Sequence, residues 1–104
     1  MEKGTAAVQP APTLAALRAR RAEIVRIAAA RGASNIRVFG SVARGDATAD
    51  SDVDLLVDFE PGRSLLDEAG LARELEELLG YHVDVGSDVD VVIRHHVLAQ
   101  AVPL

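Results

Sequence analysis

Asp52-Val53-Asp54-Leu55-Leu56-Val57-Asp58-Phe59 is the stretch on which the fold and the chemistry both turn. Side chains on a strand alternate faces with a period of two. Val53, Leu55, Val57 and Phe59 then share one face and suit a core. Asp52 and Asp54 fall together on the other, with Cα atoms about 6.5 Å apart from the rise per residue. Two carboxylates held so close repel and resist joint ionisation. A divalent cation between them removes the conflict, and oxygen-only ligands on a rigid strand suit Mg²⁺. Taken alone, Asp-x-Asp reads first as the solvated face of an amphipathic strand.

Upstream, Asn35 to Phe39 reads as a short strand that stops at Gly40-Ser41. A glycine there lets backbone approach a ligand closely. Ser41 opens the next turn, where free N–H groups and a hydroxyl can hold a phosphate, or simply form a turn and cap. Val42 to Arg44 begins a short helix, and Arg44 is either a phosphate partner or a solvated helix residue. Gly45 to Ser51 is loop.

Farther out, Met1 to Pro12 is rich in Ala and Pro and reads as a mobile tail. The domain is expected over residues 13–104. Thr13 is the expected N-cap of a helix from Leu14 to Arg31, with Leu14, Leu17, Ile24, Ile27 and Ala28 inward and Arg31-Gly32 as its stop. Downstream of the strand, Pro61-Gly62 is a break. Leu65 to Leu79 is a helix with Leu65, Ala69, Ala72, Leu75 and Leu79 inward, a kink or break at Gly70, and Gly80 at its end. His82 to Val85 is a third strand, Val89 to Ile93 a further extended piece, and Arg94 to Ala101 a closing helix. The fold class is α/β (α+β), a small mixed sheet flanked by helices.

Composition narrows the function. With 104 residues the chain fits one domain. Aromatic residues make up only 3%, so the core must be aliphatic. A net charge of −5 argues against a general DNA or RNA binder, which needs Lys and Arg at phosphates. The absence of cysteine excludes disulfides, zinc thiolates and a cysteine nucleophile. No apolar run reaches a membrane span, and no signal peptide is visible, so a cytoplasmic protein is expected. No P-loop pattern occurs. His82, His95 and His96 have no spacing tied to the acidic cluster and read as surface or strand-end residues. Asp46, Asp50, Asp58 and Glu60 read as solvated, adding a negative field that attracts cations.

The spacing Gly40-Ser41, ten residues, Asp52-Val53-Asp54 resembles the signature of the DNA polymerase β-like nucleotidyltransferase superfamily. Phe39-Gly40-Ser41-Val42-Ala43-Arg44-Gly45 with Ser51-Asp52-Val53-Asp54-Leu55-Leu56-Val57 is similar to its smallest branch, the minimal nucleotidyltransferase (MNT) proteins. The likeness continues through Phe59-Glu60-Pro61-Gly62, the Leu-rich helix and the ending Val97 to Leu104, so it covers Leu14 to the C-terminus. It implies a polymerase β-like fold and a third carboxylate on a later strand. Asp84 matches by position, with Asp90 in Val89-Asp90-Val91 as rival. Gly86-Ser87-Asp88 departs from the usual look of that strand's end.

The resemblance implies attack of a hydroxyl on the α-phosphate of ATP. Asp52, Asp54 and Asp84 would hold two Mg²⁺ ions, and Gly40, Ser41 and Arg44 would hold the nucleotide. MNT proteins resemble the antitoxin half of HEPN–MNT toxin–antitoxin pairs, in which the MNT protein adenylylates a tyrosine of the HEPN ribonuclease. The expected partner is therefore a HEPN toxin. Stoichiometric neutralisation without chemistry and transfer to a small-molecule hydroxyl are the alternatives.

Overall fold

The computed structural model describes residues 9–87 and 101–104. Their elements run in the order α1 (Leu14–Ala19), α2 (Arg21–Ala30), β1 (Ala33–Phe39), α3 (Gly40–Arg44), β2 (Val53–Phe59), α4 (Leu65–Leu79), β3 (Val83–Ser87) and β4 (Val102–Pro103). The four strands form one mixed sheet in the order β3-β2-β1-β4. β1 is antiparallel to β2 and to β4, whereas β2 and β3 are parallel. A parallel pair needs a crossover, and α4 supplies it.

β2 lies inside the sheet, and its odd positions show why. Val53, Leu55 and Val57 are all buried and pack with Leu17, Ile24 and Ala28 of the first two helices, Val38 of β1, and Leu71 and Leu75 of α4. The core is aliphatic, as the composition requires. No polar or charged residue is buried among the described residues. Among them, too, no helix is long and apolar enough to cross a membrane.

Thr13 caps α1 as expected, its hydroxyl accepting from the Ala16 N–H at 3.0 Å. The single helix expected over Leu14 to Arg31 is instead two, divided at Arg20. Arg20 leaves helical geometry (φ −105°, ψ 17°). Its guanidinium ties to Glu23 and reaches the Leu78 carbonyl of α4. Leu17 and Ile24, on either side of the break, are both buried in the core.

Helix α4 has the expected limits but a different inward face. Leu71 and Leu75 are buried, while Leu65 is 80% exposed and Ala69 is exposed. At about 100° per residue, the stripe through Leu71, Leu75, Leu78 and Leu79 is rotated roughly 75° from the expected one. The helix also runs unbroken through Gly70. That glycine makes room for the Arg31 guanidinium, which a Cβ would strike and which bonds Glu74 at 3.2 Å. Ser64 and Asp67 begin the helix with a reciprocal capping box.

β1 is longer than expected and irregular between Ser34 and Arg37, where Asn35 has φ +52°. There Asp58, expected to be solvated, accepts from Arg37 Nη2 and Asn35 Nδ2, both at 2.9 Å. Val102-Pro103 adds the edge strand β4, where a proline is tolerated. The helix expected over Arg94 to Ala101 and the extended piece over Val89 to Ile93 lie outside the described residues, save Ala101 itself. The Tyr81 hydroxyl donates to the Pro10 carbonyl at 2.6 Å.

The rotated face of α4 has a direct test. Leu71→Ala should cost about 2–5 kcal/mol in urea denaturation, and Leu65→Ala should stay within about 0.5 kcal/mol. Equal costs would contradict the packing.

Candidate active site

The candidate residues converge at one end of the sheet because of strand register. β1 ends at Phe39, which pairs with Asp54, and Asp54 in turn pairs with Asp84 across the parallel β2–β3 ladder. Gly40 follows Phe39 directly. The two halves of the sequence signature, ten residues apart in the chain, therefore meet side by side.

Gly40 is held at φ +73°, in the left-handed region. An L-residue there costs about 1–2 kcal/mol. A Cβ at Gly40 would also lie 2.5 Å from Asp54 Oδ2. Glycine is thus required twice, by the turn and by the carboxylate behind it. Ser41 sits in the first turn of α3, partly buried, and its carbonyl accepts from the N–H groups of Gly45 and Asp46. Arg44 ends α3, exposed, with Nε 3.3 Å from Asp46 Oδ2. Its charge still reaches the site, pulling the Asp54 pKa down.

That pull is outweighed. Burial first, then the charges of Asp84 and Asp52 and a hydrogen bond with Asp84, push Asp54 from its ordinary 3.8 up to about 6. Asp52 lies one residue before β2 rather than inside it and is exposed. The crowding of negative charge on Asp54 has no full remedy among the described residues. This is a donor set that fits a divalent cation, since a bound cation inverts the local electrostatic balance.

His82 is where the structure corrects the sequence reading. It is exposed, as expected of a strand-end residue, but it belongs to the acidic cluster. Nε2 lies 3.3 Å from Asp84 Oδ1, and Nδ1 lies 2.7 Å from Glu76 Oε2. One ligand atom each from Asp52, His82 and Asp84 falls within 4.8 Å of the others. The physical reason is the ladder: the His82 carbonyl accepts from the Val53 N–H at 2.9 Å, so His82 is stitched to the start of β2. Desolvation lowers the His82 pKa, but Asp52, Glu76 and Asp84 together raise it above its ordinary value. Two clefts flank the imidazole. One of about 440 Å³ is lined by Asp50, Ser51, Asp52 and Tyr81, the other of about 560 Å³ by Ala72, Glu76, Val83 and Asp84. Asp90, His95 and His96 lie outside the described residues.

Residues 21–86 match the sequence profile of the nucleotidyltransferase domain. The chain belongs to the nucleotidyltransferase domain family. This nucleotidyltransferase is 39% identical over 82 residues to MJ0435 of Methanocaldococcus jannaschii, named as a candidate protein adenylyltransferase, covering 77% of this chain and 88% of that one. It is 56% identical over 54 residues to the protein adenylyltransferase MntA of Thermococcus cleftensis, spanning 52% of this chain and 54% of MntA. A solved structure described as a candidate minimal nucleotidyltransferase superposes with a TM-score of 0.77 at 52% identity, covering 88% of this chain and 96% of the other. A crystal structure of a toxin–antitoxin with AMP-PNP shares the fold, with a TM-score of 0.68 at 22% identity over 79% of this chain and 69% of that one. The small mixed sheet with flanking helices is therefore the minimal nucleotidyltransferase fold.

Asp54 gives a pH-dependent prediction. Between 3.8 and about 6 the folded state holds a proton that the unfolded state has lost. Stability therefore falls as pH rises through that window, and the penalty is complete above it. Its ceiling is about 3 kcal/mol, and partial solvent screening lowers it to about 1–2 kcal/mol. Metal-free Asp54→Asn should thus be more stable than the wild type by that amount at pH 7.5, and nearly equal to it at pH 4, in parallel urea titrations. No difference between the two pH values would contradict the assignment.

Proposed function

We propose that this chain is a metal-dependent protein adenylyltransferase. It transfers AMP from ATP to a tyrosine hydroxyl of a HEPN ribonuclease toxin, and so acts as that toxin's antitoxin. Residues 13–104 form the working domain, preceded by residues 1–12, of which Pro10 is tied to the domain by the Tyr81 hydroxyl. The observation that carries the reading is the seating of Gly40 against Asp54, with Asp84 in register beside it. A glycine turn at a cluster of carboxylates suits a triphosphate that arrives with its cations.

Asp52, Asp54 and Asp84 would hold two Mg²⁺ ions in this proposal. When bound, these would neutralise the phosphates and polarise the α-phosphoryl group. Gly40 gives the triphosphate close access to backbone, Ser41 offers its hydroxyl and N–H, and Arg44 exchanges Asp46 for a phosphate oxygen. The acceptor oxygen forms a bond to the α-phosphorus while the bond to the bridging oxygen of pyrophosphate breaks. The acceptor's proton passes to Asp84. Adenylate ends on the acceptor and pyrophosphate leaves.

Protein as acceptor is supported by the relatives named as protein adenylyltransferases. A toxin partner is supported by the fold shared with a toxin–antitoxin. The net charge of −5 weighs against a nucleic-acid partner.

Intact-mass spectrometry of the purified HEPN partner, incubated with MgATP and this chain, tests the reading. A gain of one adenylate is expected with the wild type. Asp52→Ala/Asp54→Ala should slow it by on the order of 10²–10³-fold or more, the scale of losing a preorganised electrostatic contact. No gain, with toxicity suppressed equally by both forms, would mean neutralisation by binding alone.

A further inference from the structure

We propose that His82 is a nitrogen ligand of the carboxylate centre, and that this gives the site a preference for a divalent first-row transition ion over Mg²⁺. The inference rests on the metal-dependent reading above and extends it to a residue outside the sequence signature.

Three observations carry it. First, Nε2 of His82 faces the carboxylates: it lies 3.3 Å from Asp84 Oδ1, and ligand atoms of His82, Asp84 and Asp52 all fall within 4.8 Å of one another. That spacing lets a single cation meet all three donors. Second, the other ring nitrogen is already committed. Nδ1 lies 2.7 Å from Glu76 Oε2, whose carboxylate also accepts from the Val83 N–H at 3.1 Å. Histidines that bind metal almost always donate their second N–H to a carboxylate or carbonyl, which fixes the tautomer and aims the free lone pair at the ion. Glu76 is such a partner, itself anchored to the backbone of β3. Third, backbone hydrogen bonding fixes the main chain at His82 next to Asp52, since the His82 carbonyl accepts from Val53 N–H at 2.9 Å.

The chemistry of the donor set then decides selectivity. Mg²⁺ demands oxygen ligands and keeps much of its water. One imidazole with two carboxylates is a mixed nitrogen–oxygen set of the kind that Zn²⁺ accepts readily. Affinity for such a set rises along the first-row series. Mn²⁺, at the low end of that series, is the most demanding probe and is directly visible by electron paramagnetic resonance. Glu76 acts only through His82 and is a positioning residue.

The test is Mn²⁺ and Mg²⁺ binding to the full chain without nucleotide, read by the free-Mn²⁺ resonance and by competition, together with pulsed resonance for ¹⁴N coupling to bound Mn²⁺. The wild type should bind Mn²⁺ about 10-fold or more tighter than Mg²⁺ and should show histidine ¹⁴N modulation. His82→Ala should lose at least the roughly 10–100-fold in Mn²⁺ affinity that removal of an outer-shell partner alone costs, lose the modulation, and keep its Mg²⁺ affinity within about 3-fold. Glu76→Gln should weaken Mn²⁺ binding while retaining the modulation. His82 is exposed, so its loss leaves the core intact, and circular dichroism of each variant checks this. Unchanged Mn²⁺ affinity and no ¹⁴N modulation in the wild type would overturn the ligand assignment while leaving the carboxylate site standing. Full metal binding by Asp52→Asn/Asp54→Asn would instead overturn the site on which the inference rests.

Discussion

Repulsion among the carboxylates at the head of β2 is the constraint around which this small domain is arranged. Asp54 pairs in register with Asp84, has Asp52 two residues away, and is partly withdrawn from water. Each circumstance opposes its ionisation. Ionised like charges at short range are costly, and a bound cation would offset that cost. The rest of the sheet makes the cluster rigid. β2 is flanked on both sides, and the side chains that fill the core beneath it are Val53, Leu55 and Val57 of the same strand. Moving the aspartates would mean moving the core.

The glycine turn completes this arrangement. A left-handed Gly40 brings the β1–α3 backbone against the Asp54 carboxylate, closer than any side chain would permit. Anionic phosphate and acidic side chains would repel if brought together bare. Their proximity is intelligible once cations lie between them, which is the logic of phosphoryl-transfer sites that depend on metal. Membership of the nucleotidyltransferase family and this geometry point the same way.

Much of this was legible in the chain because local rules governed it. Alternation placed Val53, Leu55 and Val57 inward, glycine and serine marked the turn, and Thr13 and Gly80 marked helix ends. Asp84 needed the family likeness, since nothing local separates Val83-Asp84-Val85 from Val89-Asp90-Val91. The tie of His82 to the acidic cluster runs through pairing with β2, which is about 30 residues away in the chain and leaves no local pattern. Helix period alone does not select the inward face of α4: with leucines on several sides, the sheet keeps Leu75 and Leu79 inward and takes Leu71 in place of Leu65. Gly70 read as a helix weakness, yet its role is to admit Arg31 from a different helix cap. The division at Arg20 has no glycine or proline to announce it.

Asp54 holds its proton up to about pH 6, well above the ordinary aspartate range, until a cation replaces it. Carbon-detected NMR titration of the Asp54 carboxyl, with and without saturating Mg²⁺, measures this directly. The account predicts a midpoint near 6 in the metal-free protein, and its disappearance from that range when Mg²⁺ is added. An ordinary aspartate midpoint near 3.8, or a midpoint near 6 that Mg²⁺ leaves untouched, would contradict it.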